Sequence, residues 1–180
     1  MSAGTNGHPK AERNADEVDR VVAAWHRERP DLDLGPLEVL SRVARIARQL
    51  DRHRAAAFAE HGLDTWEFDV LAALRRAGGP YRLSPGQLAA ETLVASGTMT
   101  NRIDRLQQRE LVVRTPDPDD GRGVLVSLTE AGRTLVDAAM VTLLGRERAV
   151  LDALALDEAA ELAALLRTLA LGIEDRRVPR

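Results

Sequence analysis

The run "SPGQLAAETLVASGTMTNRIDRLQQ" constrains this chain more than any other stretch, because it carries two short helical patterns only a few residues apart. Ser84, Pro85 and Gln87 mark a helix start: a serine N-cap, a proline at the first helical position and a glutamine able to close a capping box. In the second pattern Met99, Ile103 and Leu106 fall together on a helical wheel and must face a core. Gly97, Thr98, Asn101, Asp104, Arg105 and Gln108 occupy the far side. Two short helices joined by so tight a turn suggest a helix-turn-helix.

The flanking sequence extends this motif in both directions. Upstream, "DEVDRVVAAWHRERP" reads as a short helix stopped by Pro30. From Pro36 to about Glu60, Val39, Leu40, Val43, Ile46, Ala47 and Leu50 recur at helical spacing, with Gly62 as the stop. "DTWEFDVLAALRRAGG" forms the next helix and ends at Gly78-Gly79-Pro80. Downstream, "LVVRT" and "VLVSL" read as two strands around the turn-rich "PDPDDGRG", with Val124, Val126 and Leu128 alternating against Leu125 and Ser127. Thr129 caps a long helix, and Asp157 caps a last one in which Leu162, Leu165, Leu166 and Leu169 form one stripe. The expected fold is mainly α with a small antiparallel β-wing: a winged helix-turn-helix with long N- and C-terminal dimerisation helices. Its segments are a disordered lead-in over 1–16, N-terminal helices over 17–62, a DNA-binding domain over 63–128, C-terminal dimerisation helices over 129–173 and a tail over 174–180.

Composition removes most competing functions. The 180 residues are 44% hydrophobic but only 3% aromatic, so Ala, Leu and Val must fill the core, which favours packed helices over a sandwich. There is no cysteine, and the four histidines (His8, His26, His53, His61) show no ligand-like spacing, so neither metal nor cofactor is expected. A nucleophile elbow and a glycine-rich phosphate loop are also missing, which argues against an enzyme. No secretory signal or membrane-length apolar run is visible, and a soluble, cytoplasmic protein is expected.

The formal net charge is −3, so any affinity for nucleic acid must be local. Small and amide side chains at the start of the second helix suit close approach to base edges, where Asn reads adenine and Arg reads guanine. Ser84, Ser96, Thr98, Thr100, Asn101 and Arg105 are the candidate DNA contacts, with Arg122 at the tip of the wing and Asp120 holding its guanidinium. Arg102 differs, since it lies about 65° from the centre of the buried stripe and needs a partner there. A calcium loop over Asp117, Asp119 and Asp120 fails on spacing: counted from Asp117, Gly121, Arg122 and Leu128 stand where an EF-hand needs a ligand, a glycine and a bidentate glutamate. Over 95–113, Arg102, Arg105 and Arg109 against Asp104 and Glu110 leave one net positive charge. So weak a patch calls for a dimer engaging two half-sites about one helical turn apart. Arg42, Arg45, Arg48 and Arg52 form a second basic stripe, read as solvated or internally paired. A helical interaction module without a DNA role would leave Arg122 at the wing tip without a purpose.

The block "LSPGQLAAETLVASGTMTNRIDRLQQRELVVRTPDPDDGRGVLVSLTEAG" resembles the central DNA-binding region of the MarR family of bacterial transcriptional regulators, with Asp120-x-Arg122 followed by "VLVSLTEAG" as its most specific part. The similarity runs from about Val18 to Ile173. It implies a homodimer joined through the terminal helices, bound to a palindromic operator and usually repressing transcription. The added helix with "WHRERPDLD" is similar to the urate-responsive, PecS-like subgroup. That narrower resemblance implies four ligand-linked residues: Trp25, Asp69, Arg102 and Arg114. On this reading a planar anion stacks on Trp25 and pairs with Arg114, while Asp69 is displaced and drags Arg102 and its helix out of register with the groove. A phenolic or carboxylate metabolite is the alternative to urate.

Overall fold

The computed structural model describes residues 15–118, 120 and 123–174. The chain divides into two compact units between Arg52 and His53.

The N-terminal unit holds α1 (Glu17–Glu28) and the first part of α2 (Gly35–Ala59). Asp16 and Asp19 build a reciprocal capping box, with Asp19 N–H donating to Asp16 at 3.0 Å and Asp16 N–H to Asp19 at 2.7 Å. Asp16, placed in the lead-in by its sequence, is therefore the N-cap of α1; of that lead-in only residues 1–14 lie outside the described residues. Val18 is 1% exposed, and Asp16 and Asp19 reach Arg42 at 2.8 and 2.6 Å. Glu17 reaches Arg45 at 2.5 Å. Half of the basic stripe on α2 is thus spent on pairing α1. The Asp19 N–H and the Arg42 guanidinium hold Asp16 below the ordinary carboxylate range, and Arg45 does the same for Glu17.

The C-terminal unit contains the end of α2, α3 (Thr65–Arg76), β1 (Arg82–Leu83), α4 (Pro85–Glu91), α5 (Ser96–Gln108), β2 (Val112–Pro116), β3 (Val124–Leu128), α6 (Glu130–Leu151) and α7 (Leu156–Glu174). Gly62 at φ +63 ends α2, letting Leu63 N–H return to the Phe58 carbonyl at 3.0 Å. Phe58 and Phe68 stack with centroids 4.0 Å apart, and Val70, Leu71, Leu74, Leu88, Met99, Ile103, Leu106 and Val126 close the core around them. Arg54 pairs with Glu147, and Arg146 with Glu60, tying this end of α2 to α6.

The sheet has three strands in the order β1-β3-β2, all antiparallel, rather than the two-stranded hairpin its sequence predicts. Two residues are too few to show periodicity, so β1 is invisible until Leu83 is seen opposite Val126. Thr129 caps α6 as expected, its Oγ1 accepting from Gly132 N–H at 3.0 Å. Asp157 does not cap α7. The helix already begins at Leu156, with Asp157 in its first turn, and Glu158 accepts the Ala155 N–H at 2.8 Å. In α7 no residue is buried, and Leu162, Leu165 and Leu166 are exposed. Among the described residues no helix is long and apolar enough to cross a membrane.

Candidate nucleic-acid interface

The capping box at Ser84 forms as predicted: Gln87 N–H donates to Ser84 Oγ at 3.2 Å, and Ser84 N–H to Gln87 Oε1 at 2.8 Å. Because the Ser84 oxygen only accepts, its hydrogen stays available for a phosphate. α5 begins differently. Ala95 is its N-cap and offers no side-chain acceptor, so the first N–H groups of the helix keep their capacity for an anion. Ser96, Thr98, Thr100 and Asn101 are exposed there, with Thr100 Oγ1 also donating to the Ser96 carbonyl at 3.3 Å. Met99, Ile103 and Leu106 are fully buried beneath them, which fixes the rotation of α5 and hence the outward set.

The arginines of α5 are not distributed as the helical wheel suggests. Arg102, Arg105 and Arg109, at i, i+3 and i+7, all meet the first turn of α3. Arg109 donates to Glu67 at 2.6 Å and to the Gly62 carbonyl at 3.0 Å, and Glu67 is 3% exposed. Arg105 lies 4.8 Å and Arg102 5.4 Å from the centroid of the Trp66 ring. Arg105 nevertheless keeps 62% of its side chain in solvent. Glu67, Arg109 and Trp66 were not singled out by the sequence. The one available signal was the arginine spacing on α5, which requires acceptors on a facing helix.

The ligand-linked residues are met in three places. Trp25, in the N-terminal unit, is 50% exposed and lines an apolar groove of about 470 Å³ with Leu32, Leu34, Pro36, Leu37 and Leu40. Asp69 borders a cavity of about 190 Å³ with Arg76, Glu91, Thr92 and Leu93. Arg114 lines another, of about 370 Å³, where it pairs with Asp104 at 2.6 Å and Gln107 at 2.8 Å and is 28% exposed. Asp104 and Gln107 stand roughly 140–200° around α5 from Arg102, so Arg102 and Arg114 flank opposite sides of that helix. Arg114 also neutralises the one carboxylate on the outward face of α5.

Burial pushes the Asp69 carboxyl above its ordinary value, against the opposing pull of Arg102 first and then Arg54 and Arg76. The native state therefore holds this proton more tightly than the unfolded chain does. Stability falls as pH rises from about the ordinary value of 3.8 through the raised one, and ionised Asp69 works against the fold at neutral pH. Asp69→Asn is expected to raise the urea midpoint at neutral pH, with the gain disappearing in acid; an unchanged midpoint at both pH values would contradict this. In the wing, Asp117 N–H meets the Gly123 carbonyl at 2.9 Å and Gly123 N–H the Asp120 carbonyl at 2.8 Å, closing the turn. Arg122, and with it the Asp120–Arg122 pairing, lies outside the described residues.

Comparison with known proteins places this geometry among relatives. A sequence model of the MarR family matches residues 61–123. The transcriptional regulator PecS of Dickeya dadantii is 37% identical over 150 residues, 83% of this chain and 90% of PecS. A mutant E. coli MarR in complex with operator DNA is 28% identical with a TM-score of 0.63, covering 77% of this chain and 99% of that one. Bordetella bronchiseptica BpsR, whose DNA binding is regulated by 6-hydroxynicotinic acid, is 29% identical with a TM-score of 0.57 over 71% of this chain and 92% of its own.

Proposed function

The chain belongs to the MarR family of transcriptional regulators, and from that premise we propose that it is a repressor that binds a palindromic operator as a homodimer and is released by a small planar anion such as urate. It is a DNA-binding regulator and not an enzyme. The observation that carries the DNA reading is α5 itself: three buried apolar residues fix its rotation, an uncapped start faces outward, and Thr98, Asn101 and Arg105 stand exposed on that side. Ser84, Ser96 and Thr100 supply backbone contacts, and Arg122 with Asp120 extends them into the minor groove. The exposed leucines of α7 support dimerisation through the C-terminal helices.

The resemblance to the urate-responsive subgroup links both Trp25, a ring on which a planar molecule can stack, and Arg114, a guanidinium able to pair with an anion, to ligand release. An anion that takes Arg114 also unmasks Asp104 on the outward face of α5, where a bare carboxylate repels phosphate. Asp69, which burial already disfavours as an anion, interacts with Arg102, and on the subgroup's pattern its displacement drags Arg102 and α5 out of register with the groove. Release then follows from the ligand's preference for the DNA-incompetent state. The resemblance of the added helix to the urate-responsive subgroup supports urate; the hydroxylated aromatic acid that regulates BpsR supports a carboxylate in its place.

The test is a gel shift on the DNA upstream of this protein's own gene, titrated with urate, 6-hydroxynicotinate and a simple phenolic acid. A specific shift that urate reverses for the wild type but not for Trp25→Ala is expected. Equal retention of scrambled DNA would sink the operator reading, and normal release of Trp25→Ala would sink the ligand assignment. Arg105→Ala is expected to cost about 1–3 kcal/mol of affinity and to relax base preference at one position, whereas Arg122→Ala weakens all sequences and lowers the salt slope by about one.

A further inference from the structure

Trp66 follows two residues after the N-cap of α3, and its placement is over-determined. Its indole N–H donates to Asp64 Oδ2 at 3.1 Å, and the ring is partly buried against the core cluster. The same Asp64 oxygen lies 3.8 Å from Arg105 Nη2. Both Arg102 and Arg105 bring their guanidinium carbons within 5.4 Å of the ring centroid, the distance at which a cation is drawn to the negative π-face. An exposed arginine with four rotatable side-chain bonds would otherwise sample many directions, and that freedom would have to be given up on each base contact.

We infer that Trp66 is a positioning residue for base recognition: its ring and the Asp64 carboxylate hold Arg105 pre-aimed from the face of α5, and the same ring couples the aim of Arg105 to the position of Arg102. The inference rests on the DNA-binding reading of α5. Because phosphate contacts set the salt dependence while pre-aimed base contacts set discrimination, losing the ring must lower specificity and leave the salt slope alone.

The experiment compares the upstream duplex with a scrambled one of equal length, by fluorescence anisotropy at several salt concentrations. Wild type, Trp66→Phe and Trp66→Leu are measured with melting curves alongside. Trp66→Leu is expected to reduce discrimination about three- to tenfold, Trp66→Phe by less, with unchanged salt slopes. Should Trp66→Leu fail to fold, fluorinated tryptophans decide the matter, since they weaken the π-face while keeping the shape of the ring. The chain has two tryptophans, so labelled Trp66→Phe isolates the contribution of Trp66. Discrimination that declines with fluorination in the wild type but not in Trp66→Phe supports the inference. Equal discrimination by wild type, Trp66→Phe and Trp66→Leu, or no response to fluorination, overturns it. A wild-type protein that does not distinguish the two duplexes at all refutes the underlying DNA reading instead.

Discussion

Gly132→Ala is expected to cost the fold about 3 kcal/mol, read as a fall of roughly 6–12 °C in Tm or as the corresponding drop in urea midpoint. Gly132 sits in the first turn of α6, directly against the backbone of Leu111 at the start of the wing. A methyl group there would fall inside the van der Waals surface of the Leu111 carbonyl oxygen, with the carbonyl carbon 3.0 Å away. The clash is with backbone, and that backbone cannot retreat. The Leu111 carbonyl accepts from Thr129 N–H at 3.1 Å and from Thr129 Oγ1 at 3.2 Å, while Leu111 N–H donates to the Leu106 carbonyl at 3.0 Å. Gly145, in the same helix, has open space where its side chain would be. Gly145→Ala should therefore be neutral or stabilising by up to about 1 kcal/mol. Similar losses at both positions would show that the close approach to Leu111 is not what sets the cost at Gly132.

The second large effect is expected at Arg109. Truncation to alanine leaves Glu67 as a buried carboxylate without its cation, a change that costs about 3–5 kcal/mol for fully buried pairs. Arg109 itself is 39% exposed, and Glu67 keeps the Asp64 N–H as a donor at 2.9 Å, so about 2–3 kcal/mol is the expected loss. Glu67→Gln in the same background removes the stranded charge while retaining an acceptor for the cap. The double variant should recover most of the loss, and a coupling energy near zero in that cycle would refute the pairing. DNA affinity measured well below the melting transition should change less for these variants than for Arg105→Ala, because Arg109 faces α3.

The parts of this fold that a reader of the sequence can see are those written in short-range chemistry. Ser84, Pro85 and Gln87 announce a helix start, and the structure forms both hydrogen bonds they promise. Met99, Ile103 and Leu106 predict their own burial through spacing alone. What escapes is pairing across distance. The two residues of β1 carry no period and become a strand only because β3 passes beside them. Asp157 has the chemistry of a cap but was outcompeted by Glu158, which reaches Ala155 and lets the helix begin two residues sooner. The arginines of α5 look alike in sequence, yet Glu67 claims one and the Trp66 ring shares two, choices made by side chains some forty residues away. Arg114 is likewise spoken for by Asp104 and Gln107, a pairing that the sequence around neither partner announces.

The joint at Leu111 has a mechanical consequence. Thr129 donates its hydroxyl to the Glu110 carbonyl at 2.8 Å and its N–H to the Leu111 carbonyl at 3.1 Å, so the segment that leaves α5 is riveted to the N-cap of α6 through one residue. α6 has 22 residues and so projects about 33 Å from that rivet. A swing of only about 5° at the joint carries its far end through an arc of about 3 Å, comparable to the rise of one base pair. A tilt of α5 too slight to break any hydrogen bond in the wing is thereby magnified, along a rigid rod, into a displacement on the scale of DNA stacking.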